Sequence, residues 1–269
     1  MKKKYIISMK ISPKKSLGQN FLHDPKILGK ITDAADLTKE DVVLEVGPGT
    51  GNLTKILSEK AGRVIAIEKD HRTIDELRSV FSSANVEIFE GDTLEINPRD
   101  LGLKEGGYKI VANIPYYITS NFIRQVLEFW PKPKLVVITI QKEVAQRIVA
   151  KPPHMNLLAL SVQFYSNPKI VDYISAGSFF PKPNVDSAII KLTPKEAPLD
   201  PTEAKRYFSL LKSAFAEKRK QLAKVAGQKE GIPKEAVAEI LGHIGIRQDA
   251  RPEILSQDQW LALLKCIDE

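Results

Sequence analysis

From residue 42 to residue 140, short apolar runs alternate with segments in which apolar residues recur every three or four positions. The runs are rich in Val and Ile and short, which is typical of strands buried on both faces of a sheet. Between them, spacings such as that of Leu53, Ile56 and Leu57 predict helices. This alternation predicts a doubly wound, mostly parallel sheet. Its predicted strands are Val42–Val46, Arg63–Ile67, Val86–Glu90, Tyr108–Ala112 and Leu135–Ile140.

Two further apolar segments extend this sheet. Ile170–Ser175 and Ser187–Leu192 lie close together around a proline-rich loop, which suits an antiparallel hairpin at one end of the sheet and brings the number of strands to seven. Prolines at 194, 198 and 201 then mark a linker, and the patterns beyond it are helical. We therefore expect a basic extension at 1–15, a sheet domain at 16–195 and a small all-helical domain at 200–269.

Composition limits the class of protein. With 269 residues and 43% hydrophobic content, the chain can bury one large core and a small second one. The single Cys266 excludes a disulfide framework, and the four histidines show no metal-ligand spacing, so we expect no metal. No apolar stretch reaches the roughly 18 residues of a membrane span, and the lysine-rich start lacks a signal peptide's apolar run. We expect a soluble cytoplasmic protein whose translation starts at Met1 or Met9.

Positive charge is concentrated in two segments. Residues 1–15 contain six lysines and no acid, and residues 205–229 contain eight Lys or Arg against one acid, Glu217. The net charges of these two segments are +6 and +7. Because the net charge of the whole chain is +7, the remaining residues carry 7 − 13, or −6. Basic segments beside a mildly acidic body suggest contacts with a phosphate backbone. For residues 1–15 alone, a solvated lysine surface explains the charge equally well.

For residues 205–229 the nucleic-acid interpretation is stronger. Phe208, Leu211 and Phe215 have helical spacing and supply a packing face. That face leaves a basic cluster available to solvent and to RNA. The cluster consists of Lys218, Arg219 and Lys220.

A glycine-rich turn follows the first strand. Gly47-Pro48-Gly49-Thr50-Gly51 joins that strand to a predicted helix, and such a turn lets a ligand approach the backbone. The dinucleotide fingerprint requires its third glycine where Asn52 stands. A cofactor without a pyrophosphate fits better. S-adenosyl-L-methionine carries a ribose, an adenine and a cationic sulfonium, so carboxylates should bind it.

Acidic residues follow the next two strands. Glu68 lies 21 residues after Gly47, near the interval at which ribose-binding acids occur, and we expect it to bind the ribose from a strand end outside the core. Asp92 follows the third strand, where it either accepts a hydrogen bond from the adenine amine or caps a helix. Asp70 has the position of a helix cap.

The segment Asn113-Ile114-Pro115-Tyr116 suits methyl transfer to an exocyclic amine. The amine lone pair is delocalised into the base, so acceptors must hold its N–H groups before the nitrogen can attack. The Asn113 oxygen and a neighbouring carbonyl can be those acceptors. Pro115 stiffens the turn, and Tyr116 offers a face on which a base can stack. The tetrapeptide alone is equally compatible with a strand-ending turn and a core tyrosine.

Two features concern the shape of the acceptor pocket. Ile114 stands where many DNA-directed methyltransferases have a second proline, and it leaves room for a monomethylated amine to turn. Phe179 or Phe180 can stack opposite Tyr116, although at least one of the two is expected to fill the hairpin core.

Motifs along almost the whole chain match one family. They are Ser16–Leu22, Glu45–Gly51, Asn113–Tyr116, Gln141–Ala145, Phe180–Ser187, Phe215–Lys220 and Arg251–Ser256. With these motifs the chain resembles the ribosomal RNA adenine N6,N6-dimethyltransferases, specifically the small-subunit (16S) branch, which dimethylates two adjacent adenines near the end of that RNA. The last two motifs resemble the tail of this branch. The loop at 152–158 departs from the family, since it lacks the usual tyrosine and glycine.

The resemblance implies the fold of S-adenosylmethionine-dependent methyltransferases and a set of roles. Asn20 and Leu22 close over the cofactor, Gly47 lies beneath it, and Asn113 touches both cofactor and target amine. Glu68 and Asp92 keep the roles given above. The residues around Asn20, taken without the resemblance, indicate only the approach to a helix, with Asp24 as its N-cap and Pro25 at its first position. The implied partner is small-subunit rRNA within an immature 30S-type subunit, bound by a monomer.

Two other functions remain open. A large-subunit rRNA methyltransferase shares the catalytic half but usually lacks the tail motifs. A non-enzymatic RNA-binding assembly factor could retain the fold without the activity. The intact site residues argue against this second alternative, and they are Glu45, Gly47, Glu68, Asp92 and Asn113.

Overall fold

The structure, a computed structural model, describes residues 12–217 and 219–268, without the side chains of Lys15 and Asp268. Three sequence-based predictions lie outside the described residues. They are the structure of residues 1–11 of the basic extension, the choice between Met1 and Met9, and the exposure of Lys218. The chain divides into two compact units, Met1–Ala145 with Ser166–Pro194 and Gln146–Tyr165 with Lys195–Glu269.

In the first unit, the described residues form a seven-stranded sheet. Its strands are β2 Val42–Val46, β3 Arg63–Glu68, β4 Val86–Glu90, β5 Lys109–Asn113, β6 Leu135–Gln141, β7 Ser166–Ile174 and β9 Ser187–Pro194. They lie in the order β4-β3-β2-β5-β6-β9-β7. The first five pair in parallel, and β9 lies antiparallel between β6 and β7. The predicted doubly wound, mostly parallel sheet and its terminal hairpin are confirmed. A separate two-stranded pair joins β1 Phe21–Leu22 to β8 Phe179–Phe180.

Helices cover the sheet because the strands are apolar on both faces. Of the helices in this unit, α1 (Pro25–Ala34) and α2 (Asn52–Lys60) pack on one face, where Leu28, Ile31 and Leu57 are buried with Val43 and Val137 of the sheet. The helices that begin in this unit are α1 Pro25–Ala34, α2 Asn52–Lys60, α3 His71–Val80, α4 Thr119–Arg124 and α5 Lys142–Ile148.

Helix starts in this unit follow the expected chemistry. Asp24 caps α1 with Pro25 in its first turn, and the Asp70 side chain accepts from the Arg72 amide at the start of α3. Both predicted caps are confirmed. Because β2, β3 and β5 run parallel, their carboxyl ends meet at one edge, which brings together Gly47, Glu68 and Asn113.

The second unit is helical in its described residues, around a core that contains Phe164, Tyr207 and Trp260. The predicted packing face is confirmed, since Leu211 is buried there and Phe208 and Phe215 are partly buried against it. A capping box stands at the start of the last helix of this unit. The amide of Ser256 donates to Gln259 Oε1 at 2.9 Å, and the Gln259 amide donates back to Ser256 Oγ at 3.3 Å. Its helices are α6 Leu157–Tyr165, α7 Pro201–Ala216, α8 Leu222–Glu230, α9 Lys234–His243 and α10 Gln257–Asp268.

The domain bounds expected from the sequence stay a prediction. In the part of the chain that the structure describes, every helix is too short or too polar to cross a membrane.

Candidate active site

A cleft opens at the carboxyl ends of β2, β3 and β5, and its empty space, together with the open solvent at its mouth, is about 740 Å³. Its walls are the segment Leu17–Phe21, the glycine turn, the end of β3, the residues after β4, and the segment Asn113–Ile118. All of these walls belong to the first unit. The cleft therefore gathers the glycine turn, both predicted carboxylates and the acceptor motif, as the parallel topology requires.

The glycine turn has a backbone that larger residues disfavour. Gly47 and Gly49 have φ of +67° and +56°, in the left-handed region. A Cβ on Gly49 would also lie 2.9 Å from the Phe21 ring. The turn can thus keep its backbone at the cleft floor only with glycine at these positions.

Glu68 is buried, with 5% of its surface exposed, which corrects the expectation that it would lie outside the core. Its Oε2 accepts from the Gly49 amide at 2.9 Å, and its Oε1 accepts from the Asp70 amide at 2.8 Å. Burial raises the pKa of Glu68, although these two N–H donors lower it in part. The carboxylate is buried because the glycine turn folds over the end of β3, and it still lines the cleft. It therefore both holds the turn and faces the space where a ribose can bind.

Asp92 does not cap a helix, because a turn follows it in the described chain. Its Oδ1 accepts from the Leu94 amide at 3.0 Å, and its Oδ2 forms an ion pair with Lys69 Nζ at 2.6 Å. Burial raises the pKa of Asp92, but the Lys69 ammonium and the Leu94 amide outweigh burial and hold that pKa below its ordinary value. An ionised acceptor thus lines the cleft. Lys69 was missed in the sequence because its partner follows a different strand.

Asn113 is fixed from two sides. Its Nδ2 donates to the Asn20 carbonyl at 3.1 Å, and its Oδ1 accepts from the Thr139 hydroxyl. Thr139 lies directly beside Asn113 in the pairing of β5 with β6. A carbonyl oxygen has two lone pairs, so Asn113 Oδ1 can accept one more hydrogen bond from an amine in the cleft. Thr139 carries no signal of this role in the sequence, since only the strand register places it beside Asn113.

Tyr116 and Ile114 also line the cleft. The Tyr116 hydroxyl bonds to Ser187 Oγ at 2.6 Å, and burial raises the pKa of Tyr116, so its phenol stays protonated at neutral pH. Ile114 is 2% exposed and fills the wall beside it. Tyr117, which was not predicted as a site residue, is 59% exposed at the cleft.

The two phenylalanines of β8 have different environments. Phe179 is buried in the core and pairs with Leu22, whereas Phe180 is 64% exposed. Neither of them lines the cleft, and of the two only Phe180 is exposed enough to stack on a base. Of the two residues expected to close over the cofactor, Asn20 lines the cleft, and Leu22 has its side chain in the core.

Glu45, at the end of β2 below the glycine turn, is 1% exposed. Burial raises the pKa of Glu45 to about 8, so the carboxyl is mostly neutral at pH 7. Among the described residues, its Oε2 has no hydrogen-bond partner.

The basic cluster is described in part. Arg219 and Lys220 are exposed, and Lys220 forms an ion pair with Glu217. Lys218 lies outside the described residues.

Known proteins are similar to this chain over most of its length. The family described as "Ribosomal RNA adenine dimethylase" matches residues 11–269. A "Ribosomal RNA small subunit methyltransferase A" from Dehalococcoides mccartyi (strain CBDB1) is 42% identical over 255 residues, which are 94% of this chain and 88% of the relative.

Two solved structures are similar to this chain over most of its length. The 23S rRNA methyltransferase ErmE has a TM-score of 0.79 and 29% identity, over 93% of this chain and 100% of its own. A dimethyladenosine transferase from Plasmodium falciparum has a TM-score of 0.76 and 30% identity, over 90% of this chain and 95% of its own.

Proposed function

This chain belongs to the ribosomal RNA adenine dimethylase family, and from that premise we propose that it dimethylates N6 of two adjacent adenines near the 3′ end of small-subunit (16S) rRNA, with S-adenosyl-L-methionine as methyl donor. The observation that carries the proposal is the position of Asn113. Its amide lies in one cleft with Glu68 and Asp92, and it keeps an acceptor site for an amine. The small-subunit target is favoured by the 42% identity with a small-subunit enzyme over 94% of the chain.

The donor groups of the cleft fit S-adenosyl-L-methionine. When bound, this cofactor supplies an electrophilic methyl group on a sulfonium. Glu68 would accept from the ribose hydroxyls and Asp92 from the adenine amine, while Gly47 lets the ligand approach the backbone. Asn20 and Leu22 would contribute through the segment that borders the cleft, Leu22 only by its backbone, since its side chain lies in the core.

Positioning is the main catalytic device of the protein residues. Asn113 Oδ1 and the carbonyl of Ile114 would accept the two amine N–H groups, which localises the nitrogen lone pair for attack. Pro115, with φ of −59°, fixes the turn that aims this carbonyl. The Tyr116 ring, anchored through Ser187, would hold the base by stacking, with Phe180 on its other face. No strong base is needed before attack, because the methylated ammonium readily loses its proton to water or to a backbone acceptor.

Dimethylation requires that the same pocket accept a monomethylated amine. Ile114 lines the cleft beside Asn113, and its aliphatic side chain would leave the room that a second proline ring would occupy. The pocket would then admit the first product in a rotated orientation.

The proposed partner is rRNA within an immature 30S-type subunit, bound by a cytoplasmic monomer without a metal. Exposed Arg219 and Lys220 support a role in gripping the phosphate backbone.

The proposal is tested by incubating the protein with methyl-labelled cofactor and either immature small or immature large subunits, and then mapping the modified bases. Asn113→Ala serves as the inactive control. We expect label in two adjacent adenines of small-subunit RNA. Label confined to large-subunit RNA would replace the proposal with the large-subunit alternative. RNA binding without label on either subunit would favour a non-enzymatic assembly factor.

A further inference from the structure

We infer that Asp70 and Gln19 form a positioning pair, which couples the cofactor end of the cleft to the acceptor residue Asn113. The inference rests on the proposed function and concerns two residues outside the proposed cofactor and acceptor contacts. The side chain of Asp70 is 1% exposed, although this residue caps a helix that starts at the surface.

Asp70 makes more contacts than a helix cap needs. Arg72 donates to its two carboxylate oxygens from Nε at 2.8 Å and from Nη2 at 2.6 Å. Gln19 Nε2 donates to Asp70 Oδ2 at 2.8 Å, across 51 positions of sequence. Hydrogen bonds from the Arg72 guanidinium hold the pKa of Asp70 well below its usual range, so this acceptor stays ionised.

These contacts tie down residues 12–20, which we call the entry segment. Gln19 Oε1 accepts from the Lys14 amide at 2.7 Å, and Arg72 Nη1 donates to the Ser12 carbonyl at 3.4 Å. Gln19 itself stands between Gly18 and Asn20, and all three line the cleft. The entry segment is thus anchored to the start of α3 at both of its ends.

The pair completes a series of contacts around the cleft. Glu68 accepts from the Gly49 amide with one oxygen and from the Asp70 amide with the other. Asp70 binds Gln19, and the carbonyl of the next residue, Asn20, accepts from Asn113 Nδ2 at 3.1 Å. A cofactor that contacts the Glu68 carboxylate is therefore connected to Asp70 through the Asp70 amide, which donates to that carboxylate. If Gln19 is released, Asn113 keeps only its bond to Thr139 and can rotate away from the target amine.

A purely structural pair would give a different result from a positioning pair. Loss of a structural contact lowers the melting temperature and leaves the rate of methyl transfer unchanged well below that temperature. Loss of a positioning contact lowers the rate at saturating cofactor even in a folded protein.

Gln19→Glu is the test variant, since it places a carboxylate against Asp70 without changing size. In single-turnover assays with saturating cofactor and small-subunit RNA, we expect it to react about 10-fold to 100-fold more slowly, the factor that corresponds to losing a hydrogen bond to a charged group. In the double variant Gln19→Glu with Asp70→Asn, the new amide can donate to the new carboxylate, although it no longer accepts from Arg72 Nη2. The rate should therefore recover several-fold over that of Gln19→Glu without reaching that of the wild type. Asn167→Asp, an exposed amide-to-acid change on β7, is the matched control and should react at the wild-type rate.

Two results would overturn the inference. One is a Gln19→Glu rate within about two-fold of the wild type. The other is a slower rate that the double variant does not restore. Failure of the wild-type protein to label any RNA would instead overturn the proposed function. Calorimetry with S-adenosylhomocysteine would then test the pair. The affinity for this ligand should fall in Gln19→Glu and recover in the double variant. An unchanged affinity in Gln19→Glu would overturn the inference.

Discussion

Glu45→Gln tests whether the buried carboxyl below the glycine turn is protonated in the folded protein. Burial is the largest cause that raises the pKa of Glu45 from 4.5 to about 8. In the unfolded chain the group should titrate near 4.5. Between these two values the folded protein holds a proton that the unfolded chain has released.

The sign of the effect follows from this proton. Because the folded pKa is raised, the contribution of Glu45 to stability is fully present below pH 4.5 and is lost as the pH rises toward about 8. One proton corresponds to about 1.4 kcal/mol of unfolding free energy per pH unit. Glutamine has the shape of glutamate and cannot ionise, so the variant does not lose this unfolding free energy as the pH rises. Between pH 5 and pH 7 the variant should gain up to about 3 kcal/mol relative to the wild type.

The assay compares melting temperatures of the variant and the wild type by circular dichroism from pH 5 to pH 8. For a chain of this size, about 1 kcal/mol corresponds to roughly 2 to 4 °C. The difference in melting temperature should therefore grow by roughly 3 to 6 °C per pH unit. Glu40→Gln, which removes an exposed carboxyl, is the matched control. A difference that stays constant from pH 5 to pH 8, or that shrinks, would refute the reasoning.

Three further predictions concern the proposed function. Glu68→Ala should weaken S-adenosylmethionine binding in calorimetry and should also lower the melting temperature. The melting temperature falls because each backbone amide left unpaired, such as that of Gly49, costs about 1 to 3 kcal/mol. An unchanged cofactor affinity in a folded variant would remove Glu68 from the site. Asn113→Ala should slow single-turnover methyl transfer by about 10² to 10³ while RNA binding persists, and a rate close to wild type would exclude it as the acceptor residue. Replacing the three basic residues at 218–220 by Gln should weaken RNA binding and make the slope of log affinity against log salt shallower by about two to three units. An identical slope would mean that this cluster is only a solvated surface.

Features that depend on neighbours in the chain were predictable from the sequence. The runs that became β2 to β6 have the apolar content of strands buried on both faces, whatever their partners. Asp24 and Asp70 cap helices through bonds to amides two residues away, so their role is local. The glycine turn and the strand-end position of Asn113 follow likewise, because carboxyl ends of parallel strands must meet at one edge.

The environment of each site residue required the tertiary structure. A strand-end acid looks exposed in sequence, yet Glu68 is buried because the turn from another strand folds over it. Phe179 and Phe180 look equivalent, and only the pairing of β8 with β1 puts one in the core and the other in solvent. Alternation along a strand gives two faces but not which of them is covered.

The partners of the acceptor residue show the same division. Sequence alone determined that an amide, a proline and an aromatic follow a buried strand, and these residue types limit the chemistry. The tertiary structure decided that Asn113 bonds to Thr139, 26 positions away, and to Asn20, 93 positions away. Bonds over such separations depend on the register of β5 against β6 and on the path of the entry segment. Both are set by packing of the whole unit, because the local pattern carries no information about which distant residue will lie opposite.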